Sequence, residues 1–192
     1  MNNEVFNPGY YNEYDLRSYG IKSVGKNVLI AKNCTIVGIE NVRIGDNVRI
    51  DGFSTIIAAG DGFLNIGSYV HIGGYSAIFA GAGVVMQDFC GLSQSVKIYS
   101  KSDDYSGNFM TNPTVPSNLT GVVSGEVSIG RHAIIGSQSI IMPKVIIAEG
   151  TAVGANSLIM KHTEEWSIYF GSPAKKIKNR KRNPLMLEEQ LK

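Results

Sequence analysis

Aliphatic residues recur at every sixth position in six groups of three: Val24, Ile30, Ile36; Ile44, Ile50, Ile56; Ile66, Ile72, Ile78; Met86, Leu92, Ile98; Ile129, Ile135, Ile141; and Ile147, Val153, Ile159. The last two groups join without a break, and elsewhere extra residues enter only after every third hexad. Two positions before each aliphatic stands another small or apolar residue, from Val28, Cys34 and Val42 through Ser139, Val145 and Ser157, with Lys22 the exception. Residues i−2 and i lie on one side of an extended strand, so both can point inward. The Gly, Asn, Asp and Ser that follow, as in IGDN at 44–47 and VGAN at 153–156, suit turns.

Short strand, turn, short strand at a fixed period is the signature of a solenoid, and a period of six specifies a parallel β-helix. Three hexads make one turn, so the pattern predicts about six coils with insertions leaving from one corner. Stacked at strand spacing, the coils form a prism on the order of 30 Å long. An ordinary sandwich alternates with period two and gives no reason for a six-residue register.

The hydrophobic content of 43% suffices for a core, and the aromatic fraction of 9% fits a narrow interior lined by Ile and Val. At 192 residues, one domain with modest decoration is expected. No signal peptide opens the sequence and no apolar run approaches a transmembrane segment; the net charge of +2 says little, and no nucleic-acid partner is expected. Cys34 and Cys90 both occupy inward positions, three coils apart. That is roughly 14 Å by strand spacing, too far for a disulfide. They read as core thiols in a reducing compartment, and a soluble cytoplasmic protein is the expectation.

The hexads divide the chain into an N-terminal cap at 1–22, a β-helix at 23–161 and a C-terminal tail at 162–192. Within the cap, NEYDLRSYGI suits one short helix ending at Gly20, with Leu16, Tyr19 and Ile21 over the first coil. In the tail, TEEWSIYFGSPAKKI reads as turn-rich, and Asn183-Pro184 as N-cap and N1 of a final short helix. The run KKIKNRKR at 175–182 is either a solvated tail or a phosphate contact, for a cofactor or an anionic membrane surface. Residues 99–126 hold no hexad. An excursion of that length from a rigid scaffold points to function.

With the hexads, the loop entry VKIYSKSDDYSG, the hexads VSIGRHAIIGS after it and the ending GSPAKKI, the chain resembles the left-handed β-helix, hexapeptide-repeat acyltransferases. The resemblance is to the sugar O-acetyltransferases of the galactoside and maltose acetyltransferase group and their surface-polysaccharide relatives, over about residues 20 to 178. Left-handedness comes from that resemblance, since parallel connections are usually right-handed. So do a homotrimer, acetyl-CoA as acyl donor in the cleft between neighbouring prisms, and direct attack by an acceptor hydroxyl or amine as a base takes its proton. The implied role is acetyl transfer to a sugar hydroxyl in surface-polysaccharide biosynthesis, without a metal. Outward-pointing Ile134, Ile140, Ile146 and Leu158 would otherwise form an unexplained surface patch.

Where galactoside acetyltransferases carry their catalytic histidine, five residues past the last aliphatic before the loop, this chain has Asp103. Free aspartate, with a pKa near 3.9, is a weak base toward a hydroxyl. The expectation is therefore that His71, matched to an active-site aromatic position of those enzymes, is the base. Asp103 or Asp104 would orient it or hold the acceptor. His132, in a turn, and His162, after the last hexad, are the other histidines, and a surface role for His71 or an Asx turn at the Asp pair is the plain alternative. For the donor, the resemblance implies Ser137, Ala155, Met160, Lys161, Lys175 and Lys178, the lysines pairing with nucleotide phosphates. Asp15 and Arg17 could reach the acceptor from the cap.

Three other readings compete. One is N-acetylation of a nucleotide-linked amino sugar. Another is a zinc hydrolyase like the γ-carbonic anhydrases, which needs three converging imidazoles that this histidine spacing does not supply. The last is a non-catalytic β-helix that serves as a scaffold.

Overall fold

A computed structural model describes residues 7–191; the first six residues of the expected cap lie outside the described residues. The hexads form a left-handed parallel β-helix of six full coils, plus a seventh that begins and turns back. Each coil contributes one short strand to each of three sheets. The third coil, for example, runs Leu64–Ile66, His71–Ile72 and Ala77–Phe79. In the first sheet the inward residues stack in register, Ile30 on Ile50 on Ile72 on Leu92 on Ile135 on Val153. All the hexad aliphatics are buried except Ile36, which packs at the rim of the first coil. A fully buried Ile of this kind contributes about 1.5–3 kcal/mol, and the column repeats that gain at every rung.

The turns have a rule of their own. Every described non-glycine residue with positive φ, except Asn112 in the long loop, stands three before an inward strand residue. These include Asn47, Phe53, Tyr69, Tyr75, Phe89, Ser95, His132 and Trp166, with φ between 48° and 68° across the set. A left-handed residue turns the chain sharply and projects its side chain along the prism edge, where it meets its equivalent one rung away. Tyr69 stacks on Phe89 at 4.9 Å, Phe89 on His132 at 5.0 Å, and Phe53 on Tyr75 at 4.9 Å.

Both ends are closed. The cap helix is Glu13–Ser18, fastened by a capping box between Asn12 and Asp15, and it buries Leu16 over the first coil. At the other end the stretch expected to be turn-rich is instead a hairpin, Ser167–Gly171 and Ala174–Asn179. The first of these strands pairs in parallel with Ala152–Val153, so Tyr169 takes the seventh inward position. An aromatic there, where an aliphatic was required, hides the coil from the hexad rule. In the final helix, Asn183–Glu188, Arg182 rather than Asn183 stands at the N-cap position, without a side-chain cap hydrogen bond, and Pro184 lies in the first turn. No helix among the described residues is long and apolar enough to cross a membrane.

Candidate active site

The long loop leaves the second sheet after Lys97–Tyr99 and is zipped at its base by Lys101–Ser102 against Val123–Ser124. Beneath it lies a cavity of about 650 Å³, floored by Ile57, Phe79 and Tyr99. Phe79 and Tyr99 stack with ring centroids 4.9 Å apart. Polar groups close the other side, among them Lys101, Asp103, Asn112 and Thr120. The Asp103 carboxylate accepts the Asn112 N–H at 3.3 Å and is half-buried. Asp104 instead closes a turn, accepting the Ser106 hydroxyl at 2.7 Å and N–H at 3.1 Å. The Ser106 hydroxyl, with smaller contributions from nearby N–H groups, holds the Asp104 carboxyl below the usual range.

His71 stands on the outer face of the first sheet. Register places Arg49 beside it on one rung and Gly91 on the next. The carboxylate against its ring is Asp51, with Oδ2 2.8 Å from His71 Nε2, rather than Asp103 or Asp104. Asp103 belongs to a cavity over the second sheet, a different face of the same prism. Asp51 is also gripped by Arg49, whose Nε lies 2.8 Å from Oδ1 and Nη2 3.2 Å from Oδ2. Burial works against the Asp51 charge, but hydrogen bonds from Arg49 and His71 outweigh it and lower its pKa.

The other histidines are engaged structurally. His132 is buried, and its Nε2 lies 2.6 Å from Glu188 of the final helix. His162 accepts the Ile146 N–H on Nδ1 at 3.0 Å. Asp15 and Arg17, expected to face the acceptor, serve the cap. The Asp15 carboxylate accepts the Asn12 N–H at 3.0 Å, and Arg17 donates to the Val24 carbonyl at 2.7 Å.

Of the residues matched to the donor cleft, Met160, Lys161 and Lys175 meet in one groove of about 540 Å³, with Tyr169 and Pro173. A second recess of about 510 Å³ shares Met160 and Lys161 and adds Lys144. Ser137 and Ala155 lie outside both, on neighbouring rungs, with the Asn156 N–H bonded to the Ser137 carbonyl at 2.9 Å. Lys178 sits further along the last strand, opposite Ile168. Much of the basic run is absorbed internally. Lys176 pairs with Glu164, Arg180 donates to the His132 and Gly150 carbonyls, and Arg182 lies over the Trp166 ring. Sequence reasoning missed Asp51. Its signal was the spacing of 22 from Ile50 to Ile72, which sets 49 beside 71 and leaves 51 one step away on the same face.

Comparison with known proteins agrees with this architecture. Residues 126–161 match the family described as bacterial transferase hexapeptide (six repeats). The chain is 44% identical over 183 residues, 95% of each protein, to dTDP-4-amino-4,6-dideoxy-D-glucose acyltransferase of Escherichia coli. It is 27% identical over 144 residues, covering 72% of this chain and 69% of the relative, to the putative lipopolysaccharide biosynthesis O-acetyl transferase WbbJ of Escherichia coli K12. Among solved structures, the N-acyltransferase AntD of Bacillus cereus, in complex with dTDP and 3-hydroxybutyryl-CoA, superposes with a TM-score of 0.91 at 42% identity, covering 95% of this chain and 96% of AntD. A maltose O-acetyltransferase from Clostridium difficile shares the fold at a TM-score of 0.56 and 20% identity, covering 88% of this chain and 75% of that one. A β-helix with a loop-roofed cavity and a lysine-lined groove, alike end to end to CoA-dependent enzymes, belongs to the hexapeptide-repeat acyltransferases and draws its acyl group from acyl-CoA.

Proposed function

We propose that the enzyme acylates the amino group of a nucleotide-linked amino sugar, of the dTDP-4-amino-4,6-dideoxyglucose class, for surface-glycan synthesis in the cytoplasm. The observation that carries this reading is the 44% identity, end to end, with a transferase acting on that acceptor, against 27% for WbbJ. The amine thus displaces the hydroxyl that the sequence put first. Chemistry supports the exchange. A hydroxyl must lose its proton as it attacks, whereas an amine attacks with its own lone pair. A carboxylate at position 103, where histidine serves the hydroxyl-acylating enzymes, suits an amine, because it can accept a hydrogen bond from the amine N–H and leave the lone pair free to attack. His71 takes the proton. Met160, Lys161 and Lys175 hold acyl-CoA, the lysines meeting its phosphates.

Asp103 and His71 lie on different faces of one chain, so an acceptor site that uses both needs two copies. A homotrimer with the acceptor between loop and first sheet supplies them, and outward Ile134 and Ile146, 45% and 50% exposed, offer the apolar contact. O-acetylation is the second reading, favoured by the His71–Asp51 pair, since a histidine backed by a carboxylate is what a hydroxyl requires. Thiol release from acetyl-CoA, measured with dTDP-4-amino-4,6-dideoxyglucose as acceptor, tests the proposal. The expected product carries a hydroxylamine-stable amide. A labile ester, or turnover only with sugars lacking an amine, would overturn it.

A further inference from the structure

The Arg49–Asp51–His71 array determines more than where the imidazole lies. Asp51 Oδ2 is 2.8 Å from His71 Nε2, and an ionised carboxylate at that distance demands a proton between them. Arg49 Nη2 also approaches Nε2, at 3.5 Å, and as a donor it would favour a bare nitrogen there, but the carboxylate contact is much shorter and decides where the proton lies. Nδ1 makes no hydrogen bond among the described residues. Gly91, next in register, sets no side chain over the ring, and a recess of about 360 Å³ lined by Asn47, Arg49, Tyr69 and Val70 opens beside it.

We propose that Asp51 is a positioning residue that fixes His71 as the Nε2–H tautomer, making Nδ1 the atom that receives the acceptor's proton. This rests on the assignment of His71 as proton acceptor above. The acceptor nitrogen bonds to the thioester carbon and the C–S bond breaks. The N–H proton passes to Nδ1, and the imidazolium so formed returns a proton to the departing thiolate, giving amide and CoA thiol. While both ring nitrogens carry protons, Asp51 stabilises the cation. The other charged group facing the ring is Arg49 from the rung below. Tyr10 adds to the field at Arg49, and the rung above presents only Gly91.

Two measurements on the full-length enzyme test this. Nitrogen-15 spectra of histidine-labelled protein should show His71 protonated on Nε2, with that preference lost in Asp51→Asn and kept in Arg49→Gln. Steady-state kinetics should show kcat of Asp51→Asn reduced about ten- to a hundredfold, a part of the 10²–10⁴ that a general base supplies. KM for acyl-CoA should be unchanged, and Asp51→Glu should recover part of the rate. A tautomer or kcat indifferent to Asp51→Asn overturns the proposal for Asp51. Full turnover by His71→Ala would instead overturn the assignment of His71, while the spectra still read the tautomer directly.

Discussion

A left-handed backbone conformation costs an L-residue about 1–2 kcal/mol, yet this chain sets Phe53, Tyr69, Tyr75 and Phe89 there. Stacking against the next rung offsets that cost, since an aromatic pair is worth about 0.5–1.5 kcal/mol beyond its burial. Ser95, with φ 62°, has no such ring, so its substitutions report the backbone alone. Ser95→Val should destabilise by about 1–2 kcal/mol while Ser95→Gly changes little, as read from urea midpoints. The donor groove carries a second residue-scale expectation. Lys161→Ala should weaken CoA binding, measured calorimetrically, about ten- to a hundredfold if one phosphate hydrogen bond is lost, with the melting temperature unchanged. The inward positions were readable in the sequence because aliphatics fill them with so few exceptions. The left-handed slot was not, because Asn, Tyr, Phe, His, Gln, Lys and Trp all occupy it and share no hydropathy. Asp51 escaped for a related reason: an outward polar residue after an inward Ile looks like any other until rungs are aligned.

Among the elements, the final helix has an unusual anchor. Glu188, nearly buried, is held by His132 and by Arg131 at 2.6 Å. His132 in turn packs between Phe89 and Trp166. Gly150 makes this possible, because a Cβ there would come within 2.3 Å of the indole. Burial opposes the Glu188 charge, but the hydrogen bonds to His132 and Arg131 prevail and lower its pKa. A lowered carboxylate contributes to docking above the ordinary glutamate value, about 4.3, and loses that contribution as pH falls through the folded value. Trp166, the single tryptophan, reports the event. Its emission should shift to the red as Glu188 protonates in acid, and Glu188→Gln should show the shift at neutral pH. A helix near 183 was legible from Asn183-Pro184, but its anchor was not, since Arg131 and His132 are 57 and 56 residues away from Glu188.

At the scale of the whole molecule, the proposed site joins the first sheet of one copy to the loop of another, which makes its halves separable. His71→Ala and Asp103→Ala should each be nearly inactive. Mixed after dissociation and reassembly, they should recover about a quarter of wild-type turnover, because random pairing restores both halves at one site in four. Recovery absent from a properly assembled mixture would place both residues in the service of a single chain. Light scattering should return three times the chain mass.

The β-helix also presents an older hazard than catalysis. A parallel stack grows by adding identical rungs, so nothing within its repeat says when to stop. Here the first sheet is finished at both ends by strands that run the other way, Tyr10–Tyr11 against Val28–Ala31 and Ala174–Asn179 against Ser167–Gly171. The latter carries Lys175, Lys176 and Lys178 along its length, and such charge on an edge repels another chain. The reversal acts as a terminator for what could otherwise polymerise. Removing residues from Ala174 onward should expose a templating edge and turn a discrete enzyme into a fibre.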